Sequence, residues 1–185
     1  ENIADDKVFF VGNTMIDSLA SYHAAALLRA PWKQFGLHEK SYGLMTLHRP
    51  SNVDESQHIF SLLQAVDAST DRPILFPLHP RTKKQIEDHA HSFTHIRMVG
   101  AQGYLDFLGL MSQASFVVTD SGGVQEETAA LRIACLTLRP NTERPSTMTD
   151  GMNRLVAPHP DAIAQAFRDL KEHAPPLKGP PPLWD

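Results

Sequence analysis

Residues 115–145 read S-F-V-V-T-D-S-G-G-V-Q-E-E-T-A-A-L-R-I-A-C-L-T-L-R-P-N-T-E-R-P. Residues 116–118 form a short apolar, β-branched run, which predicts a buried strand. The run stops at Thr119-Asp120-Ser121-Gly122-Gly123. Helical spacing then continues through Leu131, and a second apolar run occupies 134–138. Strand, glycine turn, helix and strand make one βαβ unit. The turn carries the chemistry. A helix start presents unpaired backbone N–H groups and about half a positive charge. Gly122 and Gly123 let a bulky anion approach that backbone, and Ser121 adds a hydroxyl. The corner suits a phosphate or diphosphate; the plainer alternative is a tight strand-to-helix turn. Glu127 lies one helical turn after Gly123 on the same face. A carboxylate there is placed to accept hydrogen bonds from both hydroxyls of a ribose. Glu126 is rotated about 100° away and is expected to face solvent.

Working outward, 185 residues are enough for one domain with one core. A hydrophobic content of 42% is that of a soluble globular protein. A net charge of −4 leaves no nucleic-acid footprint. Cys135 is the only cysteine, so no disulfide forms within the chain, which fits a reducing cytoplasm. There is no secretory leader and no apolar run near the length of a membrane span. The chain starts Glu1-Asn2-Ile3 without a methionine and is expected to be a piece of a longer protein.

The remaining apolar runs alternate with helical patterns. A strand is expected at 8–11, then a helix at 15–29 with Asn13 or Thr14 as its N-cap, stopped by Pro31. Strands at 42–47, 73–78 and 96–99 are followed by helices at 55–68, 82–91 and 104–113. After the central unit come a short helical turn, a strand at 154–157 and a helix at 161–173. Alternation of this kind predicts a Rossmann-like, doubly wound parallel α/β sheet. Residues 174–185 hold five prolines in twelve residues and read as an extended linker beyond a 1–173 domain.

Parallel α/β sheets bind ligands beyond the carboxyl ends of their strands. Four such ends carry unusual residues: His48-Arg49, His79-Pro80-Arg81, Asp120-Ser121-Gly122-Gly123, and Arg139 with Asn141-Thr142-Glu143-Arg144. Three of these four are basic on an acidic chain, which implies an anionic small molecule. Bland readings stand beside each. His48 and His79 are either site residues or satisfied loop histidines. Arg49 either faces the ligand or pairs with Asp54. Arg144 either reaches the ligand or braces the helix through Glu126 or Glu143. His89, His91 and His95 have loose metal-like spacing, but two positions apart on a helix the first pair diverge, so no metal site is expected.

The strings D-S-G-G-V-Q-E-E (120–127) and T-E-R-P (142–145) resemble the non-hydrolysing UDP-N-acetylglucosamine 2-epimerases. So do V-G-N-T-M-I-D-S-L (11–19), T-L-H-R-P-S-N-V-D (46–54) and H-P-R-T (79–82), in the same order along the chain. The resemblance implies the C-terminal half of the two-domain GT-B fold shared with many sugar-nucleotide glycosyltransferases. It implies UDP held by Ser121, Gly122 and Gly123 at the diphosphate and by Glu127 at the ribose. His48 would be catalytic and sit with Arg49 in the cleft against the nucleotide sugar, with His79 beside them and Arg144 near the diphosphate. No cofactor and no metal are implied. The partners would be UDP, a UDP-amino sugar and the protein's own N-terminal domain, in a cytoplasmic homodimer serving cell-envelope polysaccharide synthesis. The family reaction inverts carbon 2 through removal of its proton, elimination of UDP and re-addition, with acid–base carboxylates mainly from the N-terminal domain. The sequence departs from the family at Ser51 and Ser146, where glutamate is usual, at Met152, where threonine is usual, and at Arg132-Ile133-Ala134, where Gly-Lys-Pro is usual. A related UDP-2-acetamido sugar is therefore a possible substrate. The donor-binding half of a GT-B glycosyltransferase and a non-catalytic UDP-sugar sensor are the alternatives from other classes.

Overall fold

The computed structural model describes residues 3–9, 11–86, 92–149 and 152–172. Six strands are formed: β1 (Gly43–Thr46), β2 (Ile74–Pro77), β3 (Ile96–Val99), β4 (Phe116–Thr119), β5 (Ala134–Leu138) and β6 (Asn153–Val156). They lie in one sheet in the order β3-β2-β1-β4-β5-β6, and every neighbouring pair is parallel. The chain builds outward from β1 to β3, then returns to set β4 on the other side of β1. The direction of winding therefore reverses between β1 and β4.

Side chains alternate across the sheet. Met45, Phe76 and Val118 point to one face, where α3 (Ser56–Ser69) and α8 (Pro160–Glu172) cover them with Ile59, Leu62, Leu63, Val66, Ile163 and Phe167. Leu44, Leu75 and Val117 point to the other, beneath α1 (Thr14–Arg29) and α5 (Tyr104–Ser112). Each fully buried Leu or Ile adds about 2 kcal/mol over an exposed one. The short apolar runs of the sequence are thus two-sided, as interior parallel strands require.

Local signals place the helix ends. Asn13, one of the two expected caps, accepts from Met15 N at 3.0 Å through Oδ1 and starts α1. Pro31 opens a 3-10 turn, Pro31–Phe35, after Ala30 leaves the helix at φ 46°. Ser121 caps α6 (Gly122–Leu131), and α7 (Ser146–Thr149) is the short turn expected after Pro145. Arg132 closes α6 at φ 57°, a left-handed position that costs a side-chain-bearing residue about 1 kcal/mol.

Some expectations are corrected. A one-turn helix, α2 (Pro50–Val53), follows β1 where the sequence suggests only loop; Pro50 sits at its first position, where the missing N–H does no harm. The helix expected from 82 begins earlier, as α4 (Pro80–Ile86), again on a proline. The strand expected at 8–11 is not formed: Val8, Phe9 and Val11 are exposed, and the described residues there form no ladder. A strand needs a neighbour for its backbone groups and a core for its side chains, and the described residues of this segment have neither. His89, His91 and the proline-rich 174–185 stretch lie outside the described residues. Among the described residues, no helix is long and apolar enough to cross a membrane.

Candidate functional site

β1 and β4 are neighbours and end side by side, with Thr46 paired to Thr119. The next residue after β4, Asp120, is fully buried. A buried carboxylate stays charged only when donors surround it. The backbone amide of His48 donates to both its oxygens at 3.1 Å, that of Arg49 at 2.9 Å and Asn52 Nδ2 at 3.1 Å. His48 Nδ1 adds a contact at 3.0 Å. Burial alone would push the Asp120 carboxyl up. The bonds from His48 and from the Arg49 amide outweigh burial, and its pKa lies below the ordinary carboxylate value. Asn52 also donates to Leu138 O at 3.0 Å, which ties in the end of β5. One carboxylate thus clamps three strand ends together where the sheet reverses its winding.

This clamp orients His48. Its Nδ1–H donates to Asp120, so Nε2 is the ring nitrogen left over. His79, after β2, accepts from the Arg81 amide at 3.2 Å through Nδ1, which leaves Nε2 as its other ring nitrogen. The two rings are 6.0 Å apart. His48, His79 and Ser121 line one cavity of about 410 Å³, with Phe107 and Val124 as its apolar wall.

Ser121 forms the third side. Its Oγ is a distant 3.5 Å from the Val124 amide it caps, so the hydroxyl is weakly engaged. The amides of Gly122 and Gly123 are the first of α6 and have no intrahelical acceptor. The two glycines differ. A Cβ on Gly123 would meet Met15 Cε at 2.7 Å, so the space beside it is already filled from α1. A Cβ on Gly122 would stand 3.4 Å from Glu143 Oε1. Glu143 is half-exposed and bridges Arg139, at 2.7 Å, and Arg49, at 3.4 Å. The Arg139 hydrogen bond, with the Arg49 charge beside it, holds Glu143 down at about 2. The expected pairing of Arg49 with Asp54 does not occur. Arg81 takes Asp54 through two bonds of 2.7 Å, because α2 and α4 bring those residues together. Arg49 turns instead to the Asp120 carbonyl at 3.3 Å and to Glu143.

The two glutamates of α6 separate sharply. Glu127 is buried and accepts from Tyr104 OH at 3.2 Å. Burial pushes its pKa up, against the opposing Tyr104 bond, and the Tyr104 phenol rises to about 12, chiefly through burial. Glu126, expected in solvent, is buried as well. Asn13 Nδ2 donates to it at 3.0 Å, and Arg144 Nε lies 3.2 Å away, close enough for an ion pair though misaligned for a hydrogen bond. The helical wheel is right, but α6 packs against α1, α5 and α7 and has no solvent side. Arg144 is thus paired with Glu126 on α6, one of the partners its bracing reading names. It lines a separate cavity of about 420 Å³ with Gly12, Asn13 and Glu126.

The structure gathers His48, His79 and Ser121 at one cavity and brings Arg49 to Gly122 through Glu143. Glu127 stands one turn down α6, and Arg144 lies on another side of that helix. Asp120, Asn52, Arg139 and Tyr104 have no assigned role in the sequence-based expectations. Asp120 and Asn52 both lie in motif strings. A charged or amide residue directly after a buried strand is the signal that marks Asp120, but its partners are far away in sequence.

Comparison with known proteins bears on this arrangement. The sequence profile of the UDP-N-acetylglucosamine 2-epimerase family matches residues 1–183. The chain is 36% identical over 177 residues to the UDP-N-acetylglucosamine 2-epimerase of Methanocaldococcus jannaschii, covering 90% of this chain and 48% of that protein. It is 32% identical over 165 residues to the UDP-2,3-diacetamido-2,3-dideoxy-D-glucuronate 2-epimerase of Pseudomonas aeruginosa, covering 88% and 45%. The crystal structure of the Methanocaldococcus jannaschii enzyme in complex with UDP-GlcNAc and UDP superposes with a TM-score of 0.86 at 34% identity, over 98% of this chain and 53% of that one. The chain thus spans about half the length of the curated relatives it matches. A six-stranded parallel sheet, the ordered motifs and a profile match along almost the whole chain agree, and the chain belongs to the UDP-N-acetylglucosamine 2-epimerase family.

Proposed function

We propose that this chain is the UDP-binding half of an isomerase that interconverts UDP-N-acetylglucosamine and UDP-N-acetylmannosamine. The observation that carries the reading is the clamp at the reversal of the sheet. Buried Asp120 holds His48 next to the start of α6, in the crevice where open α/β sheets take nucleotides. Residues 1–173 form the nucleotide domain in this reading, and 174–185 lead towards the other half of the protein.

The reaction asks two things of this half. It must bind UDP, and it must stabilise the charge that grows on the β-phosphate as the glycosidic C–O bond breaks. Preorganised donors do this best. Here they are the first amides of α6, the Ser121 hydroxyl and the Arg49 guanidinium. His48 and His79 line the same cavity and supply the ring nitrogens for proton transfer at the leaving phosphate. Glu127 takes the ribose hydroxyls in exchange for the Tyr104 phenol. Arg144 contributes by holding α6 through Glu126. The carboxylates that remove and return the C2 proton belong to the other half, in a cytoplasmic homodimer.

The test uses the full-length protein, UDP-N-acetylglucosamine in D₂O and no acceptor. Deuterium should enter C2 while a second sugar nucleotide accumulates. Absence of exchange together with transfer to an added acceptor would establish a glycosyltransferase. Binding without exchange or transfer would establish a sensor. The Pseudomonas aeruginosa relative and the departure at Ser51 make UDP-2,3-diacetamido sugars the second substrate to assay.

A further inference from the structure

We propose that Glu143 is a resident anion of the phosphate corner, displaced when a diphosphate arrives. The proposal rests on the nucleotide reading above and adds to it a competitor built into the chain. Three observations converge on Glu143. Its Oε1 stands 3.4 Å from the point where a Cβ on Gly122 would begin, next to the first amides of α6. Its carboxylate spans two arginines, Arg139 and Arg49. And it is half-exposed, so solvent reaches its carboxylate.

The two attachments are unequal. Arg139 is buried and grips Oε2 at 2.7 Å, while the Arg49 contact to Oε1 is 3.4 Å. Arg139 Nη1 is itself buried with no hydrogen-bond partner, so this guanidinium has capacity beyond Glu143. A helix N-terminus flanked by two guanidinium groups favours an anion. Without ligand, Glu143 answers that field. A diphosphate oxygen beside Gly122 would meet a like charge at close range. The carboxylate would have to swing off Arg49 while pivoting on Arg139. Arg49 is then released to the phosphate at the moment the phosphate needs it. Glu143 keeps its charge throughout the neutral range, so the competition does not fade with small changes of pH.

Such a competitor weakens diphosphate binding and also eases release, which an enzyme that lets UDP go and takes it back can use. A purely structural Glu143, one that only aligns the arginines, predicts the opposite sign on mutation. Calorimetric titration of the full-length protein with UDP, inorganic pyrophosphate and uridine separates them, using Glu143→Gln and Glu143→Ala. Gln keeps the shape and a bond to Arg139, while Ala empties the place. Both variants should bind pyrophosphate and UDP about fivefold more tightly than wild type, with uridine unchanged. Equal or weaker binding of both phosphates by both variants would overturn the proposal. The two readings fail separately. If pyrophosphate tightens but wild type prefers it to UDP, the nucleotide reading falls and Glu143 stands. If wild type prefers UDP and neither variant binds more tightly, the nucleotide reading stands and Glu143 falls.

Discussion

Two cavities of nearly equal size flank the start of α6, about 410 Å³ on the His48 side and about 420 Å³ on the Arg144 side. A basic side chain and a buried carboxylate meet at each. On the Arg144 side the charges face each other, Arg144 against Glu126, with Asn13 completing the set. On the His48 side Asp120 is satisfied largely by backbone amides and one ring nitrogen. His48, His79 and Ser121 line the open cavity beside it. The contrast shows that equal numbers of charges leave different donors over once folding has taken its share; in the proposed reading, those left over on the His48 side take the anion.

The largest expected effect tests whether the first cavity is the working one. His48→Gln should lower C2 exchange in the full-length protein by about 10³-fold with an unchanged unfolding midpoint. An unaffected rate would erase the distinction between the cavities. Next comes the clamp. Asp120→Asn removes the charged acceptor of four donors and should cost about 3 kcal/mol in urea unfolding, besides freeing His48. The folded pKa of Asp120 lies below its unfolded value near 3.8. Its stabilisation is therefore fully present above that value and is lost as pH falls through the depressed pKa. Wild type should lose stability more steeply than the variant below about pH 4.

The second cavity gives the converse. Arg144→Ala leaves Glu126 buried with Asn13 alone and should cost about 2 kcal/mol, while UDP affinity in calorimetry shifts less than about twofold. A large loss of affinity at unchanged stability would make Arg144 a ligand residue. The finest test splits the adjacent glycines. Gly123→Ala collides with the flexible end of Met15 and should cost about 1 kcal/mol, relieved by Met15→Ala. Gly122→Ala should leave stability within about 0.5 kcal/mol yet weaken UDP binding about tenfold, because its methyl enters the phosphate's space.

Much of this was legible in the chain. β3 and β5 fall on the runs at 96–99 and 134–138, because each is short and mostly apolar and is followed by a breaker, Gly100 or Pro140. Asn13, one of the two expected caps, starts α1, whereas Ser121, read in the sequence only as a hydroxyl at the turn, proves to cap α6. The failures have a common cause. Residues 8–11 look like any interior strand, since hydrophobicity states a preference for burial without supplying a neighbour. Glu126 is on the face its spacing requires, but spacing does not say what lies opposite. Arg81 and not Arg49 reaches Asp54, a choice between two cations made by the approach of α2 to α4.

Sequence alone determined what is local: the alternation of strand and helix, the cap of α1, and the glycine-opened start of α6, since periodicity, glycine and capping oxygens act within a few residues. The tertiary structure decided which strands adjoin, and with them the meeting of Asp120 with His48, Arg49 and Asn52 across 68 to 72 residues of chain. It also decided which glycine faces a carboxylate and which a methionine. Those outcomes depend on distances between remote segments, and such distances exist only once the sheet has set its order.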